Sequence, residues 1–193
     1  MTKQNKNSNV KILEPITEED FQSALELLHD NIFKDANYNI EYVQSLSLGE
    51  VLVAKANNEV VGALMHYRPG KIFDRLEDKH FDLKNINAKK KEIGFIEVLV
   101  VSKKNRRKGI GKALSAKAIE YQKDWASKAV LVHCWQSSPN KGSEKLFSKL
   151  GFSSLKMHIA PWFEYSQRQK DKYHCVVCNN PCKCDDLEMV KYL

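Results

Sequence analysis

The sequence predicts an α/β protein with helices on both faces of a mixed central sheet. Two apolar, β-branched runs, residues 96–101 and Ala129–Trp135, are typical of neighbouring parallel strands that are buried on both faces. Between them, the chain passes through a glycine-containing loop and then changes to helical spacing. The apolar face of that helix is formed by Ile110, Ala113, Leu114, Ala118 and Tyr121.

From residue 10 to residue 158, the remaining elements extend the order to β-α-α-β-β-β-α-β-α-β. Further strands are expected at 10–16, 51–56, 60–67, 152–158 and 187–193. Thr17 is expected to cap a first helix, with Asp20 near the capping-box position. A short second helix is expected within 38–48, and Ser138 and Pro139 are suited to begin the last one. Asn57-Asn58 indicates a hairpin turn.

Length and composition favour a single domain at 10–193 behind a flexible polar tail at 1–9. With 42% hydrophobic and 28% charged residues among 193, the chain is expected to be soluble and globular. It contains no apolar run of membrane-spanning length, and its first ten residues lack a hydrophobic signal region. We therefore expect a cytoplasmic protein without a membrane partner. Residues 68–92 fit no element and are interpreted as an insertion, either a surface decoration or a lid over the substrate.

The loop before the central helix has the properties of an anion site. Gly109 and Gly111 allow close approach to backbone N–H groups at a helix start, where the helix dipole favours negative charge. The chain carries a net charge of +7, and many of its basic residues cluster around this loop. An ordinary solvent-exposed basic turn would have the same composition. The basic residues around the loop are Lys103, Lys104, Arg106, Arg107, Lys108 and Lys112. The spacing fits neither the Walker nor the dinucleotide pattern.

Arg106-Arg107-Lys108-Gly109-Ile110-Gly111 resembles the acyl-CoA signature of the GNAT acetyltransferases, Gln/Arg-x-x-Gly-x-Gly/Ala. Residues 140–152, NKGSEKLFSKLGF, are similar to the family's second motif, Asn-x-x-Ala-x-x-Leu-Tyr-x-Lys-x-Gly-Phe. The resemblance covers about residues 10–160 and implies the GNAT fold with acetyl-CoA as cosubstrate. The cofactor-binding residues that it implies are Leu99, Val100, Val101, Arg106, Arg107, Lys108, Gly109, Ile110, Gly111, Lys112, Asn140, Ser143 and Phe147.

The resemblance also assigns catalytic roles. Backbone N–H groups within 99–101 would polarise the thioester carbonyl, and Glu97 occupies the place of the family's general base. Strand alternation places Glu97 on the same face as Leu99. The alternative is a carboxylate at an exposed strand start, paired with a lysine. Phe147 stands where the family often has a tyrosine that protonates the leaving thiolate, and phenylalanine cannot donate a proton.

The C-terminal segment 174–185 contains four of the five cysteines: Cys175, Cys178, Cys182 and Cys184. In a cytoplasmic chain this clustering favours a metal over disulfides, and four thiolates suit a structural tetrahedral zinc ion in a hairpin or loop. The second pair has C-x-C rather than C-x-x-C spacing. Free or redox-active thiols are the next interpretation, and disulfides the last.

These patterns predict an N-acetyltransferase that moves an acetyl group from acetyl-CoA to a primary amine of an unidentified acceptor. Two alternatives remain open. The phenylalanine at position 147, in place of the family's tyrosine, is compatible with a non-catalytic acyl-CoA-binding or sensor protein. The net positive charge and the clustered cysteines are compatible with a zinc-containing nucleic-acid or protein-interaction module. Aromatics are not interleaved with the basic residues, so a nucleic-acid partner is the weaker interpretation. The sequence leaves open whether the protein is a monomer or a homodimer.

Overall fold

The structure is a computed structural model that describes residues 10–15, 17–35, 38–46, 48–137 and 141–193, apart from the Lys170 side chain. The tail expected at 1–9, and the helix start expected at Ser138 and Pro139, lie outside these residues. In chain order the helices and strands are β1 (Lys11–Leu13), α1 (Glu18–Asn31), β2 (Phe33–Asp35), α2 (Ile40–Ser45), β3 (Val51–Ala56), β4 (Glu59–Tyr67), β5 (Ile93–Val101), α3 (Ile110–Asp124), β6 (Ala129–Trp135), α4 (Gly142–Lys149), β7 (Ser153–His158), α5 (Phe163–Gln169), β8 (Tyr173–Cys175) and β9 (Asp186–Tyr192).

Seven of the described strands form one mixed sheet in the order β1-β3-β4-β5-β6-β9-β7. Only the β5–β6 pairing within it is parallel. Helices α1 and α2 pack on one face, where Leu28 and Val43 contact Met65. Helix α3 packs on the other face through Ile110 and Leu114. The predicted α/β architecture with helices on both faces is therefore confirmed.

Local signals account for several boundaries. Thr17 and Asp20 form the predicted capping box at the start of α1. Asn57 and Asn58 adopt positive φ angles of 52° and 65° in the predicted hairpin turn. The prediction placed Ala113 on the apolar face of α3, but this residue is exposed. The buried face of the helix includes Ser115 and Ile119 instead.

The sequence did not indicate a second, two-stranded sheet made by β2 and β8. Its antiparallel register pairs Phe33 with Cys175 and Asp35 with Tyr173. Strand β2 leads from α1 toward α2, whereas β8 lies in the C-terminal segment. The ribbon therefore joins two distant parts of the chain, and three-residue strands carry too weak a signal to be predicted from sequence.

Strands β5 and β6 pair only from Ile93 with Ala129 to Ile96 with Val132. Beyond that point the two strands continue but are no longer paired with each other. Residues 97–101 of β5 therefore present a free edge toward β6. A ligand that approaches this edge can form hydrogen bonds with backbone groups that an ordinary sheet would already use.

A β-bulge lies at the same point on the opposite edge of β5. Met65 pairs with Val98, and the next residue of β4, His66, pairs with Ile96, so Glu97 has no partner in β4. An extra residue reverses the alternation of side chains. Val98 consequently packs with α1 and α2, and Leu99 packs on the α3 side. The prediction that Glu97 shares a face with Leu99 is wrong for this reason, since its partners lie on the opposite face.

The insertion at 68–92 folds onto the sheet as four short 3₁₀ turns. Ile72, Phe81 and Ile86 are buried in a cluster with Phe95. The segment also carries Arg75 toward Glu97. None of the described helices is long and apolar enough to cross a membrane.

Candidate active site

A cavity of about 300 Å³ opens beside Glu97, on the sheet face that carries α1 and α2. We call it the central cavity. Its wall combines the β2 segment, the insertion, the ends of β5 and β6, and the C-terminal cysteine hairpin. The β5 bulge re-aims Glu97 toward it, as bulges commonly do beside functional sites. The half-buried carboxylate of Glu97 therefore faces a chamber whose lining is rich in aromatic side chains.

Two tyrosines hold Glu97 in place. The Tyr38 hydroxyl donates a hydrogen bond to Oε1, and the Tyr67 hydroxyl donates one to Oε2 at 2.7 Å. Tyr38 precedes α2 and Tyr67 ends β4, so they approach the carboxylate from different elements. This arrangement fixes the orientation of both carboxylate oxygens.

Arg75 completes the network. Its Nη1 donates to the Tyr67 hydroxyl, and its guanidinium lies 4.2 Å from the centre of the Tyr42 ring. The Tyr42 and Tyr67 hydroxyls are also hydrogen-bonded to each other. The predicted alternative, in which a lysine pairs with Glu97 at an exposed strand start, does not describe this environment.

The surroundings of Glu97 shift its pKa in opposite directions. Burial raises the pKa of Glu97 above its ordinary value, while the positive charge of Arg75 and the hydrogen bonds from Tyr38 and Tyr67 lower it. Burial is the largest of these effects, so the pKa is raised overall. A carboxylate of this kind accepts a proton more readily than an exposed one, as general-base chemistry requires.

The far wall of the central cavity carries further polar groups. Asp35 and Asp186 line it, and each accepts a hydrogen bond from an aromatic residue, Tyr165 and Trp162 respectively. His133 also lines it, and neither ring nitrogen has a hydrogen-bond partner among the described residues. Burial lowers the pKa of His133 to about 3, so this imidazole is neutral at physiological pH.

The free edge of β5 supplies backbone donors beside the cavity. Ser102 N donates to the Val61 carbonyl at 2.9 Å, and antiparallel pairing alternates from there. The N–H of Val100 therefore points toward β4. The N–H groups of Leu99 and Val101 point toward the gap that opens between β5 and β6.

The glycine loop, residues 102–109, joins β5 to α3. Gly109 has a φ of 84° at the N-cap, a conformation in which side-chain-bearing residues are strained. Gly111 sits in the first turn, where an added Cβ would lie 3.5 Å from Leu146 and 3.7 Å from Leu99. Helix α3 runs for 15 residues and buries Ile110, whose exposed fraction is 4%, so this residue offers its backbone to a ligand rather than its side chain.

Some basic side chains of this region form hydrogen bonds within the protein, whereas others are exposed. Arg106 Nε donates to the Val101 carbonyl at 2.9 Å, and its Nη2 donates to Asn31 Oδ1 at 2.7 Å, which ties the loop to the end of α1. Lys108 donates to Asn105 Oδ1 at 3.0 Å. Arg107 and Lys112 are exposed at the two ends of the turn.

The second motif lies partly outside the described residues, because Asn140 belongs to the undescribed segment 138–140. Ser143 lies in the first turn of α4. The Phe147 ring is only 1% exposed and packs edge-on against Phe152 at a centroid distance of 5.1 Å. Phe147 is therefore a core residue of the α3 side.

The four predicted metal ligands converge. One sulfur from each of Cys175, Cys178, Cys182 and Cys184 lies within 4.8 Å of every other. We call these four residues the cysteine cluster. Three of them also line the central cavity. The fifth cysteine, Cys134, is fully buried on β6, and burial raises the pKa of its thiol to about 12, so it remains a neutral core side chain.

Sequence reasoning missed the residues that surround Glu97. Tyr38, Tyr67 and Arg75 follow no recognisable spacing, and Arg75 lies in the segment interpreted as an insertion. A clue existed at Tyr67, which ends an apolar strand run where a polar hydroxyl must find a partner. No comparable signal marks Tyr38 or Arg75.

A family sequence model, described as Acetyltransferase (GNAT) family, matches residues 11–152. An uncharacterised N-acetyltransferase of Methanocaldococcus jannaschii is 33% identical over 82 residues, which is 42% of this chain and 35% of that protein. The match thus spans about a third of the relative's length.

Solved structures resemble the whole fold. A chain of the NatC complex bound to Gag peptide and CoA superposes with a TM-score of 0.66 at 16% identity, covering 95% of this chain and 98% of the other. The ribosomal-protein-alanine N-acetyltransferase from Brucella melitensis gives 0.62 at 19% identity, covering 95% and 99%. At these identities the likeness establishes the fold.

Proposed function

The chain belongs to the acetyltransferase (GNAT) family, and we propose that it transfers an acetyl group from acetyl-CoA to a primary amine with Glu97 as general base. The observation that carries the proposal is the bulge in β5. It aims a carboxylate of raised pKa into the central cavity, beside a strand edge with free backbone donors.

Acetyl-CoA would bind along the gap between β5 and β6. Its pyrophosphate would lie at the glycine loop, against the free N–H groups of the first turn of α3 and near Arg107 and Lys112. The N–H groups of Leu99 and Val101 would face the thioester. The NatC complex, one chain of which resembles this one, was solved bound to CoA, which supports a CoA ligand for this fold.

The acceptor amine would enter from the central cavity. Glu97 removes a proton from the nitrogen, and the nitrogen lone pair then forms a C–N bond to the thioester carbon. Backbone N–H groups stabilise the negative charge on the carbonyl oxygen as it develops. The C–S bond breaks, the nitrogen gives up its second proton to solvent as the amide forms, and the sulfur leaves as a thiolate that takes a proton from solvent, because Phe147 has none to give.

Turnover of radiolabelled acetyl-CoA with a panel of primary amines tests the proposal. On any amine that is acetylated, Glu97→Gln should lower kcat by about 10²- to 10⁴-fold, the usual range for a general base. Glu59→Gln is the matched control, since Glu59 is exposed at the start of β4, and it should leave kcat unchanged. Full activity in Glu97→Gln would remove Glu97 as the base.

Binding and turnover must be measured separately, because the two alternative functions, a sensor protein and an interaction module, predict binding without acetyl transfer. Acetyl-CoA that raises the melting temperature without acetylation of any amine would favour a binding or sensor protein. Nucleic-acid binding that is sensitive to salt and survives charge reversal at Arg106 and Arg107 would favour the interaction module.

A further inference from the structure

The cysteine cluster has the geometry of a metal centre. The sulfur atoms of Cys175 and Cys184 are 3.7 Å apart, those of Cys178 and Cys184 3.4 Å, and those of Cys178 and Cys182 3.8 Å. A tetrahedral zinc ion with Zn–S bonds of about 2.3 Å holds its sulfurs about 3.8 Å apart. A disulfide needs about 2.05 Å, so the observed spacing fits a shared ion rather than paired cysteines.

The backbone around the cluster is folded to present the four sulfurs. Asn179 N donates to the Cys175 carbonyl at 3.0 Å, and Cys175 N donates to the Asn179 carbonyl at 3.3 Å, which closes a tight turn. Lys183 N donates to Cys178 Sγ at 3.2 Å. An N–H donor aimed at a ligand sulfur is the kind of surrounding contact that orients metal ligands.

The cluster is also shielded from water. Cys175, Cys182 and Cys184 are 3%, 2% and 4% exposed. They pack with five aromatic residues: Phe33, Trp135, Trp162, Tyr165 and Tyr173. The hairpin is anchored on α5, where Cys182 N donates to Ser166 Oγ at 2.7 Å.

We propose that Cys175, Cys178, Cys182 and Cys184 bind one zinc ion, and that this ion holds the wall of the central cavity in place. The four thiolates fill every tetrahedral position and leave none open for water or substrate. The ion is therefore structural, and the acyl-transfer chemistry remains with Glu97.

The route from the ion to the active site runs through the β2–β8 ribbon. Cys175 ends β8 and pairs with Phe33 of β2. Strand β2 leads to Tyr38, whose hydroxyl bonds to Glu97. A ribbon of two three-residue strands has little stability of its own, so a bound ion would supply what holds it together.

The same ion adds charge to the cavity wall. One zinc ion with four thiolates carries a net charge of about −2. Three of its proposed ligands line the same cavity as Glu97, Asp35 and Asp186, and several aromatic rings line it as well. This combination favours an acceptor that arrives as a cation, since carboxylates and aromatic faces both attract positive charge. This last step rests on the proposed acetyltransferase function, whereas zinc binding does not.

Metal analysis of the full chain, purified without chelator, tests the site directly. We expect one zinc per chain in the wild type and in the control Cys134→Ala, which changes the cysteine outside the cluster. Cys178→Ser and Cys182→Ser should each lose it. Cobalt replacement should give the strong ligand-field absorption of a tetrahedral thiolate complex. Metal-free wild type, disulfides between these cysteines, or full zinc in both serine variants would overturn the site.

Chelation of the wild type avoids variants that fail to fold. Removing zinc should lower the melting temperature and change the fluorescence of Trp135 and Trp162, which pack on the cluster, and zinc but not magnesium should restore both. These readouts need no enzymatic activity, so they separate failure of the zinc site from failure of the acetyltransferase assignment.

The effect on the cavity is tested by comparing two ligands. Zinc removal should raise the KM for a cationic amine at least tenfold and the Kd for acetyl-CoA by a smaller factor, because the ribbon lines the cavity directly but meets the glycine loop through the Arg106–Asn31 hydrogen bond just before β2. An unchanged KM in protein shown to be zinc-free would overturn the role in the cavity, as would an equal loss for both ligands.

Discussion

The glycine loop and the central cavity lie beside the same strand, β5, but one is built from a continuous segment and the other from several distant segments. The loop and the start of α3 come from one continuous stretch, so their composition and spacing can be read together. The central cavity collects side chains from β2, the insertion, β5, β6 and the C-terminal hairpin. The proposed cofactor site can thus be recognised locally, while the proposed acceptor site depends on how distant segments meet.

The difference should appear in binding. Ligand contacts at the glycine loop depend on one backbone conformation, whereas those in the central cavity depend on packing between elements. A change of backbone preference should therefore affect only acetyl-CoA, and a change of charge near Glu97 should affect only the reaction. Two variants, each with a matched control, separate these cases.

Gly109→Ala should give the largest effect on the cofactor side. A Cβ at Gly109 would meet no atom within 4 Å in the described part of the chain, so the expected cost comes from its φ of 84° rather than from a clash. A strain of about 2 kcal/mol would depopulate the binding conformation about 30-fold and weaken acetyl-CoA binding by that factor. Isothermal titration calorimetry measures the change.

Gly151→Ala is the matched control, since Gly151 has a φ of 83° and an added Cβ would meet only the mobile end of Lys191, at 2.8 Å. Both variants should lose similar stability, but only Gly109→Ala should lose affinity. Equal Kd values for the two would contradict a special role for the loop conformation.

Arg75→Met should act on the reaction and leave acetyl-CoA binding unchanged. The guanidinium lowers the pKa of Glu97, so its removal raises that pKa. Glu97 must be deprotonated to accept a proton, and the acid limb of the kcat profile should therefore move to higher pH. We expect about a tenfold lower kcat at the original midpoint, a smaller loss than the 10²- to 10⁴-fold expected when the base itself is removed.

Arg75→Lys keeps the positive charge and should keep the acid limb closer to its original pH. A pH profile is the deciding measurement, since a merely structural loss would lower kcat equally at every pH. An unmoved limb in Arg75→Met would show that Arg75 does not tune Glu97.

Much of the fold could be predicted because its signals are local. The bounds of β3 and β6 match the predicted runs, and the Thr17 capping box is formed as expected. The orientation of Glu97 could not be predicted, because a bulge depends on the register between β4 and β5 rather than on the sequence of either strand. The cysteines were recognised by spacing, but their place in the wall of the cavity that Glu97 lines follows from the β2–β8 ribbon, which has no sequence signal.

Phe147→Tyr should have the smallest effect on the reaction. The family resemblance places a proton-donating tyrosine at this position, so this variant would restore the acid if the side chain reached the thiolate. The Phe147 ring is buried in the core beneath α3 and α4, however, and an added hydroxyl would lose its hydrogen bonds to water there. We expect a cost of about 1–3 kcal/mol in the free energy of unfolding from overpacking and desolvation.

The expected kcat change for Phe147→Tyr is less than about threefold, a small effect next to the 10²- to 10⁴-fold usual for a positioned acid or base. Thermal unfolding and steady-state kinetics of Phe147→Tyr are to be compared with Phe152→Tyr, the ring that Phe147 packs against. Both should be destabilised with little change in kcat. A hundredfold rise in kcat confined to Phe147→Tyr would mean that acetyl-CoA binding opens this part of the core, and that the reaction lacks only its acid.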